Sequence, residues 1–480
     1  MRDSLVFYLN GNRTELSGAD ATMTLADWLR QRRQLVGTKI VCNEGDCGAC
    51  SVLVGRRDGN SFDYRPIDSC IAFPYQLDKT HVITVEGLAT DGCLSPVQQA
   101  MVDCHGSQCG FCTPGFVATM HGMIEKEESL SDDVLRYGLS GNLCRCTGYV
   151  QILDAGKSID TTKVAALNDR FPPAPMVDDF ESLGNAAVEF IVGDHKVFVP
   201  QTIEHAVELL QQSPDATIVS GATDFGVVHN HGRAKVSDIV SLCSLQDFNR
   251  IEVIEDETRG DELHIGGGAT WTDIEAFVEH WLPQYHDILT RFGSPQIRNA
   301  GTLGGNLAGG SPIGDSIPFH MVCDSTLELT GIAGARSVKL CDFYTGYREN
   351  LLEVGELITS VVTPLPKSNE RVVLHKISKR RDMDISTETL ALWVKLDGDM
   401  IAEARIAIGG VGPMVMRMKA AEDYLAGQPL IESALRAAGK IISESISPWS
   451  DVRGGDDYRL QLAENLMAKS FHELCQPEIV

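Results

Sequence analysis

The sequence is poor in basic residues and has no long apolar run. It carries 41 Lys and Arg against 66 Asp and Glu, which gives a net charge of −25 at pH 7. Such an acidic surface repels nucleic acid and anionic membranes. The chain opens with neither an apolar signal core nor a twin-arginine pair, and no run is long enough to cross a bilayer. We therefore expect a cytoplasmic protein that binds neither nucleic acid nor membrane.

Several catalytic patterns are also missing. No G-x-G-x-x-G follows a strand pattern, so a Rossmann dinucleotide site is not supported. The 13 histidines are scattered and form no H-E-x-x-H motif. We find no convincing nucleophile or triad. The sequence therefore identifies no catalytic side chain.

Cysteine, in contrast, is abundant. The 480 residues include 14 cysteines, most of them in the first third of the chain. In a reducing compartment, clustered cysteines indicate metal or redox chemistry rather than disulfides. A chain of this length is also too long for one core, so two to four domains are expected.

The first cysteine motif reads C-x4-C-x2-C, with a fourth cysteine further on. This spacing is typical of a plant-type [2Fe–2S] cluster. Glycines at positions 45 and 48 and an alanine at 49 let the loop bend around the metal. The alternative is a chance group of buried cysteines. The predicted ligands are Cys42, Cys47, Cys50 and Cys70.

The second motif joins QCGFCTPG to NLCRCTGY. We expect Thr113 and Thr147 to cap helices, whose N-terminal N–H groups would stabilise thiolates. The C-x-x-C pair alone could instead be a dithiol redox pair or half of a zinc site. The predicted ligands are Cys109, Cys112, Cys144 and Cys146. The remaining cysteines are expected to be buried small hydrophobes: Cys93, Cys104, Cys243, Cys323, Cys341 and Cys475.

Two glycine-rich stretches of the later α/β region are candidate phosphate loops. The first is Gly221–Gly226, which follows a strand pattern, and the second is Arg298–Asp315, the stretch richest in glycine. Backbone N–H groups in such loops can hold phosphate oxygens, and two loops suit a ligand with a pyrophosphate. The alternative is that these glycines only make tight turns.

The two cysteine sets, in this order, resemble the iron–sulfur domains of the xanthine dehydrogenase/oxidase family of molybdenum hydroxylases. RFGSPQIRNAGTLGGN, SPIGDSIP and KISKRRDMD are similar to the flavin domain of that family. The resemblance covers nearly the whole chain, which ends where the large molybdenum domain of single-chain members would begin. The chain therefore resembles the separate small subunit of bacterial members of that family.

The resemblance implies a multidomain α+β fold. Its parts are a ferredoxin-like β-grasp domain (1–88), a four-helix [2Fe-2S] bundle (89–160), a surface linker (161–188), a vanillyl-alcohol-oxidase-type FAD-binding domain (189–367) and a C-terminal α+β flavoprotein domain (368–480). It further implies that the second cysteine set lies nearer the molybdenum and the first nearer the flavin.

The resemblance also implies flavin contacts. Phe292 would cover the flavin ring, with Ile358 and Lys376 as further ring contacts. Tyr347 would face NAD⁺, and the charged loop at 379–382 would bear on the choice between NAD⁺ and O₂. The remaining implied FAD contacts are Val219, Ser220, Gly221, Ala222, Thr223, Asp224, Phe225, Gly226, Thr302, Gly304, Gly305, Asn306 and Asp315.

The implied activity is electron transfer in purine oxidation. Electrons would pass from a molybdopterin centre on a large partner subunit through two [2Fe–2S] clusters to FAD and then NAD⁺. The family expectation is a dimer of heterodimers. One alternative is the same module in a hydroxylase for aldehydes or N-heterocycles. Many of those keep the iron–sulfur and flavin parts on separate chains, so their fusion here favours purine oxidation. Another is a non-catalytic iron–sulfur sensor or assembly protein.

Overall fold

Contacts divide the chain into two compact units. The computed structural model describes residues 1–90, 92–256 and 260–475. The first unit comprises Met1–Gln246 together with Ser294–Gly301, and the second comprises Asp247–Gly293 and the chain from Thr302 onward.

The first unit contains nine strands and ten α-helices among its described residues, and nine of these helices follow one another along the chain. The strands are β1 (Leu5–Leu9), β2 (Asn12–Leu16), β3 (Ser51–Asp58), β4 (Ser61–Asp68), β5 (His81–Ile83), β6 (Val188–Val192), β7 (His195–Val199), β8 (Thr217–Val219) and β9 (Ile239–Ser241). The helices are α1 (Leu25–Gln31), α2 (Pro96–Asp103), α3 (Thr113–Ile124), α4 (Asp132–Gly138), α5 (Val150–Ser158), α6 (Leu167–Arg170), α7 (Pro173–Ser182), α8 (Ile203–Gln212) and α9 (Phe225–Asn230). Short 3-10 turns occur at Gly18–Thr22, Pro74–Gln76, Val85–Leu88 and Thr161–Lys163.

The N-terminal sheet has the strand order β2-β1-β5-β3-β4. Strands β1 and β2 form a hairpin through Asn10 and Gly11, which both have positive φ. Helix α1 packs its Trp28 against Phe7 of the sheet. Thr24 caps that helix, accepting the Asp27 N–H at 3.2 Å. These elements confirm the predicted ferredoxin-like domain.

Helices α2 to α5 form the predicted helical bundle. Ser95 caps α2 by accepting the Gln98 N–H at 3.2 Å, and Pro96 occupies the first helical position. Val117 and Met120 of α3 lie in the core of the bundle. Helix α2 therefore begins with the serine cap and the first-position proline that the sequence predicts.

Residues 161–188 differ from their prediction as a surface linker. They hold α6 and α7, whose Leu167, Val177 and Phe180 are buried with the helical bundle and the first sheet. Their apolar residues recur at helical spacing. The prolines at 172, 173 and 175 indicate a loop when taken alone, but proline is also compatible with the first turn of a helix.

A second sheet in this unit has the order β6-β7-β9-β8. Strand β8 leads directly into the first glycine-rich loop, and α9 follows that loop. Thr202 caps α8 by accepting the His205 N–H at 3.2 Å. The strand–loop–helix order predicted for the first glycine loop is therefore present.

The second unit contains the remaining strands. They are β10 (Ile251–Ile254), β11 (Glu262–Gly266), β12 (Thr326–Gly331), β13 (Gly334–Lys339), β14 (Tyr344–Gly346), β15 (Glu349–Asn350), β16 (Leu357–Pro364), β17 (Glu370–Ile377), β18 (Glu388–Asp397), β19 (Met400–Gly409) and β20 (Met416–Arg417). The later helices are α10 (Trp271–Val278), α11 (Pro283–Thr290), α12 (Pro295–Arg298), α13 (Leu303–Gly309), α14 (Ile317–Val322), α15 (Leu340–Phe343), α16 (Lys419–Leu425), α17 (Glu432–Ser445) and α18 (Asp456–Leu474). Of these, α12 belongs to the first unit.

Two main sheets organise the second unit, with the orders β10-β11-β16-β12-β13 and β17-β18-β19-β20. Helices α17 and α18 pack together and bury an apolar face against the second of these sheets. The predicted multidomain α+β class is confirmed. None of the described helices is both long enough and apolar enough to cross a membrane.

Candidate cluster and flavin sites

The four cysteines of the first motif come together in the structure. Cys47, Cys50 and Cys70 are buried and Cys42 is half-buried. The Cys42 sulfur is in hydrogen-bonding contact with Cys47 and Cys70, and Cys70 also contacts Cys50. A loop before β3 and the end of β4 therefore place four thiols in one pocket, as the spacing predicts.

The loop between the first two cysteines turns its backbone toward sulfur. The N–H groups of Glu44 and Asp46 each lie 3.4 Å from the Cys42 sulfur. Gly45 has a φ of +77°, which glycine adopts readily. Hydrogen bonds from Cys47 and Cys70, together with these backbone groups, lower the pKa of Cys42. Donors aimed at a thiolate are what an iron–sulfur cluster needs around its ligands.

A buried carboxyl group beside this pocket was not identified from the sequence. Asp68 ends β4, and its Oδ1 lies 3.5 Å from the Cys50 sulfur. No local motif indicates this contact, because it depends on the pairing of β3 with β4.

The second motif also brings its four cysteines together. The sulfurs of Cys109 and Cys146 are 3.6 Å apart, and Cys112 is in hydrogen-bonding contact with Cys144. Burial raises the pKa of the Cys112 thiol to about 12. Cys109 and Cys146 are exposed to solvent, whereas Cys144 is buried.

Thr147 does not cap a helix, which corrects the prediction made for it. Tyr149, in the left-handed conformation, holds the cap position of α5. Thr147 instead places its hydroxyl 3.1 Å and its N–H 3.5 Å from the Cys144 sulfur. Burial raises the pKa of Cys144, but these hydrogen bonds outweigh it and lower that pKa. Thr147 therefore hydrogen-bonds the Cys144 sulfur instead of capping α5.

The other predicted helix start is close to its expected position. Helix α3 begins at Thr113, and Cys112 occupies its cap position.

Of the six cysteines without ligand spacing, only Cys323 is buried, whereas Cys93 and Cys475 are exposed. The expectation that all six are core residues is therefore wrong.

The two cysteine loops are hydrogen-bonded to each other. The Leu143 N–H donates to the Cys47 carbonyl at 3.0 Å, and the Asn142 side chain donates to the Gly48 carbonyl at 3.1 Å. Gln296 of α12 donates to the Asn142 side chain at 2.9 Å. These buried amides hold the residues that precede Cys144 against the first loop.

The first predicted flavin loop, Val219–Gly226, lies in the first unit. Ala222 has a φ of +60°, and a Cβ at Gly221 would lie 1.9 Å from the Ala300 carbonyl oxygen. The Gln76 side chain donates to the Ser220 carbonyl at 2.7 Å. The loop is thus tightly folded, and at Gly221 only glycine permits the close approach to the Ala300 backbone.

The second predicted flavin loop belongs to the second unit from Thr302 onward. Thr302 caps α13 by accepting the Gly305 N–H at 3.2 Å. The Gly304 N–H donates to the Gly267 carbonyl at 2.9 Å, and a Cβ at Gly304 would lie 2.6 Å from that oxygen. These two N–H groups have partners, so close backbone packing accounts for Gly304.

Asp315 and Lys376 form a buried ion pair. The Lys376 Nζ lies 2.7 Å from Asp315 Oδ2 and donates to the Arg291 carbonyl at 2.9 Å. The Ser386 hydroxyl donates to Asp315 Oδ1. The ion pair therefore links two predicted FAD contacts, Asp315 and Lys376, to the backbone just before Phe292.

The other predicted contacts of the second unit lie on neighbouring elements. The ring of Phe292 packs on Trp271 with centroids 4.5 Å apart. Asn306 accepts the Ser316 hydroxyl at 3.0 Å. Ile358 is buried in β16, and its carbonyl would be 2.1 Å from a Cβ at Gly267.

In the part of the chain that the structure describes, no group of three or more His, Cys, Asp or Glu side chains is arranged to hold a single metal ion. A [2Fe–2S] cluster makes a different demand, since it divides four thiolates between two irons.

Comparisons with known families match almost the whole chain. Residues 7–74 match the 2Fe-2S iron-sulfur cluster binding domain, and residues 84–157 match the [2Fe-2S] binding domain. Residues 192–366 match the FAD binding domain in molybdopterin dehydrogenase, and residues 374–474 match the CO dehydrogenase flavoprotein C-terminal domain.

Curated relatives include xanthine dehydrogenase of Drosophila subobscura, 28% identical over 97% of this chain and 39% of that protein. Xanthine dehydrogenase 1 of Arabidopsis thaliana is 29% identical over the same shares. Among solved structures, reconstituted CO dehydrogenase from Oligotropha carboxidovorans has a TM-score of 0.53 at 27% identity, covering 57% of this chain and 94% of that chain.

Taken together, these matches show that the chain carries the iron–sulfur and FAD-binding domains of the molybdenum hydroxylase family. It contains two [2Fe–2S] domains and an FAD-binding domain. It spans 39% of the length of the curated relatives named above.

Proposed function

We propose that this chain is the iron–sulfur/flavin electron-transfer subunit of a xanthine dehydrogenase. It would carry electrons from purine oxidation, at a molybdenum centre on a partner subunit, through two clusters to FAD and then to NAD⁺. When bound, the clusters would supply single-electron transfer, and FAD, after taking up two electrons and a proton, would supply hydride transfer. The chain's own residues would hold these groups in order.

The observation that carries the proposal is the hydrogen bond between the two cysteine loops. Leu143, which precedes the proposed ligand Cys144, donates to the carbonyl of the proposed ligand Cys47 at 3.0 Å. Two cluster sites that share one hydrogen bond are suited to pass electrons between them.

Exposure of the second cysteine set supports electron entry there. Cys109 and Cys146 face solvent. Exposed apolar side chains from the same loops accompany them: Phe111, Leu143, Tyr149 and Val150. Apolar groups beside an exposed redox site suit a protein partner. We propose that the molybdenum subunit docks here, in a cytoplasmic dimer of heterodimers.

Electron exit is proposed in the second unit. Tyr347, in the turn between β14 and β15, is 57% exposed and can meet a nicotinamide ring. In the charged loop, Arg380 pairs with Asp384 at 2.5 Å while its side chain stays exposed. These features support NAD⁺ as the acceptor.

The names of the matched relatives support a purine substrate. Both curated relatives are xanthine dehydrogenases and align over nearly all of this chain. The fusion of iron–sulfur and flavin parts in one chain supports the same choice.

The test is copurification with the molybdenum subunit and anaerobic assay of the complex. The proposal predicts reduction of NAD⁺ driven by xanthine or hypoxanthine. Reduction driven by an aldehyde or an N-heterocycle, with none from purines, would overturn it. Reduction of O₂ alone would overturn the choice of NAD⁺.

The CO dehydrogenase neighbour favours a second candidate, in which the same module serves another molybdenum hydroxylase. The substrate range of the copurified complex separates the two. A non-catalytic sensor would contain iron without flavin, so absorption bands of FAD in the purified chain would exclude it.

A further inference from the structure

Helix α9 connects the first predicted flavin loop to the first cysteine loop. The helix begins at Phe225, inside the loop Val219–Gly226, and the Gly226 N–H donates to the Ala222 carbonyl at 2.7 Å. It ends five residues later at Asn230, whose side chain contacts the chain segments that contain Cys42 and Cys70. All of these residues belong to the first unit.

The start of the helix packs directly on the residue after Cys70. A Cβ at Gly226 would lie 2.5 Å from the Ile71 carbonyl oxygen, so only glycine permits this approach. Val227 packs against the buried group formed by Cys50, Cys70 and Ile71. The position of α9 is therefore fixed by contacts with the cysteine pocket.

The end of the helix holds two parts of the cysteine pocket with one side chain. The Asn230 Nδ2 donates to the Asn43 carbonyl at 2.9 Å and to the Cys70 carbonyl at 2.8 Å. An asparagine amide has two N–H donors, and both are used here. Asn43 follows Cys42, so this amide ties together the two chain segments that supply the outermost ligands of the motif.

We propose that Asn230 is a positioning residue that sets the reduction potential of the cluster held by Cys42, Cys47, Cys50 and Cys70. The proposal rests on the proposed function. Asn230 fixes the distance between the Cys42 and Cys70 segments from a helix anchored in the flavin loop. The Asn43 segment that it holds leads into the Glu44 and Asp46 N–H groups, which each lie 3.4 Å from the Cys42 sulfur, and hydrogen bonds to the sulfurs raise the potentials of such clusters.

The experiment uses the purified full chain with its clusters and FAD. Asn230→Ala removes both donors, and Asn230→Ser keeps one hydroxyl donor. Asn168→Ala is the matched control, because Asn168 also donates from its side chain to a backbone carbonyl, that of Phe62, at 3.0 Å. Iron content, FAD content, the EPR spectrum and the potential of each cluster are measured.

We expect Asn230→Ala to lower the potential of the first cluster and to shift its EPR signal, with a smaller shift in Asn230→Ser. The signal of the second cluster and both signals of Asn168→Ala should be unchanged. If Asn230→Ala loses iron from the first cluster, Asn230→Ser still has to show the partial shift.

Unchanged potentials and spectra in Asn230 variants that retain iron and FAD would overturn the proposal. Equal shifts in Asn168→Ala would also overturn it, because the effect would then be general. Absence of iron or FAD from the unaltered chain would instead contradict the proposed function, so the two failures are distinguishable.

Discussion

The Leu143 N–H donates to the Cys47 carbonyl at 3.0 Å, which joins the two cysteine loops by one backbone hydrogen bond. Cys47 belongs to the loop before β3, and Leu143 lies just before the C-x-C pair. The surrounding amides of Asn142 and Gln296 are buried and keep these loops together. The spacing of the two clusters is therefore built into the backbone of one unit.

Replacing Gly48 should disturb both cluster loops. Gly48 has a φ of +64°, and a Cβ there would lie 2.4 Å from the Gly141 carbonyl oxygen. Alanine at positive φ costs about 1 kcal/mol, and the clash adds to this cost. We expect Gly48→Ala to lower the iron content of the purified chain.

Gly59→Ala is the matched control for this prediction. Gly59 has a φ of +59° with no atom within 4 Å of a Cβ. Its iron content should stay normal. Equal iron contents in the two variants would contradict the account.

Removal of one exposed thiol should remove one cluster only. Cys146 is a proposed ligand of the second cluster, and a [2Fe–2S] cluster needs four. In Cys146→Ser, iron should fall from about four to about two per chain, with loss of one EPR signal. The exposed Cys93 has no ligand partner in the proposed sites, so Cys93→Ser should keep full iron. Retention of both EPR signals in Cys146→Ser would refute the assignment.

The ion pair of Asp315 and Lys376 should be needed for FAD retention. Lys376→Met would leave the buried Asp315 carboxylate without its cation, which costs about 3–5 kcal/mol. We expect lower FAD content and a lower unfolding temperature, measured by flavin release and thermal unfolding. Iron content, which depends on the first unit, should be unchanged.

Lys395→Met provides the control, because Lys395 is exposed on the adjacent strand β18. It should retain FAD and unfold normally. Normal FAD content in Lys376→Met would show that the pair does not support the flavin.

Glu388 should make the stability of the C-terminal region pH-dependent. It is fully buried, and its carboxyl oxygens have no hydrogen-bond partner among the described residues. Desolvation raises its pKa well above the usual value, against the opposing charge of Arg459. The pKa of Glu388 is therefore higher in the folded protein than in the unfolded chain. As the pH rises from the unfolded-state pKa to the folded-state pKa, Glu388 progressively lowers the free energy of unfolding.

Glu388→Gln should therefore stabilise the region at pH 8 by about 1–3 kcal/mol, with a smaller gain at pH 5. Hydrogen exchange of β18 at the two pH values measures this. Glu444→Gln, on the exposed face of α17, should have little effect at either pH. A gain in Glu388→Gln that does not depend on pH would contradict the explanation.

The sequence predicted the parts of the sites that depend on local spacing. The two cysteine sets, the hairpin at Asn10 and the caps at Thr24 and Ser95 could be read directly, since each depends on residues a few positions apart. The strand–loop–helix arrangement around Val219–Gly226 was predictable for the same reason.

Contacts between distant segments were not predictable. Asn230 meets Cys70 across 160 positions, and Gln296 meets Asn142 across 154. The role of Thr147 was misjudged because its spacing suits a helix cap, whereas the left-handed Tyr149 takes that place and frees Thr147 for the Cys144 sulfur. Tertiary packing decides such cases.

We propose that two iron–sulfur clusters and one flavin share this chain. Anaerobic reductive titration of the purified chain, followed by EPR and absorption spectroscopy, counts these groups in one experiment. We expect uptake of about four electrons per chain, two for FAD and one for each of two distinct [2Fe–2S] signals. A colourless chain, a chain that contains zinc in place of iron, or a single cluster signal would contradict it.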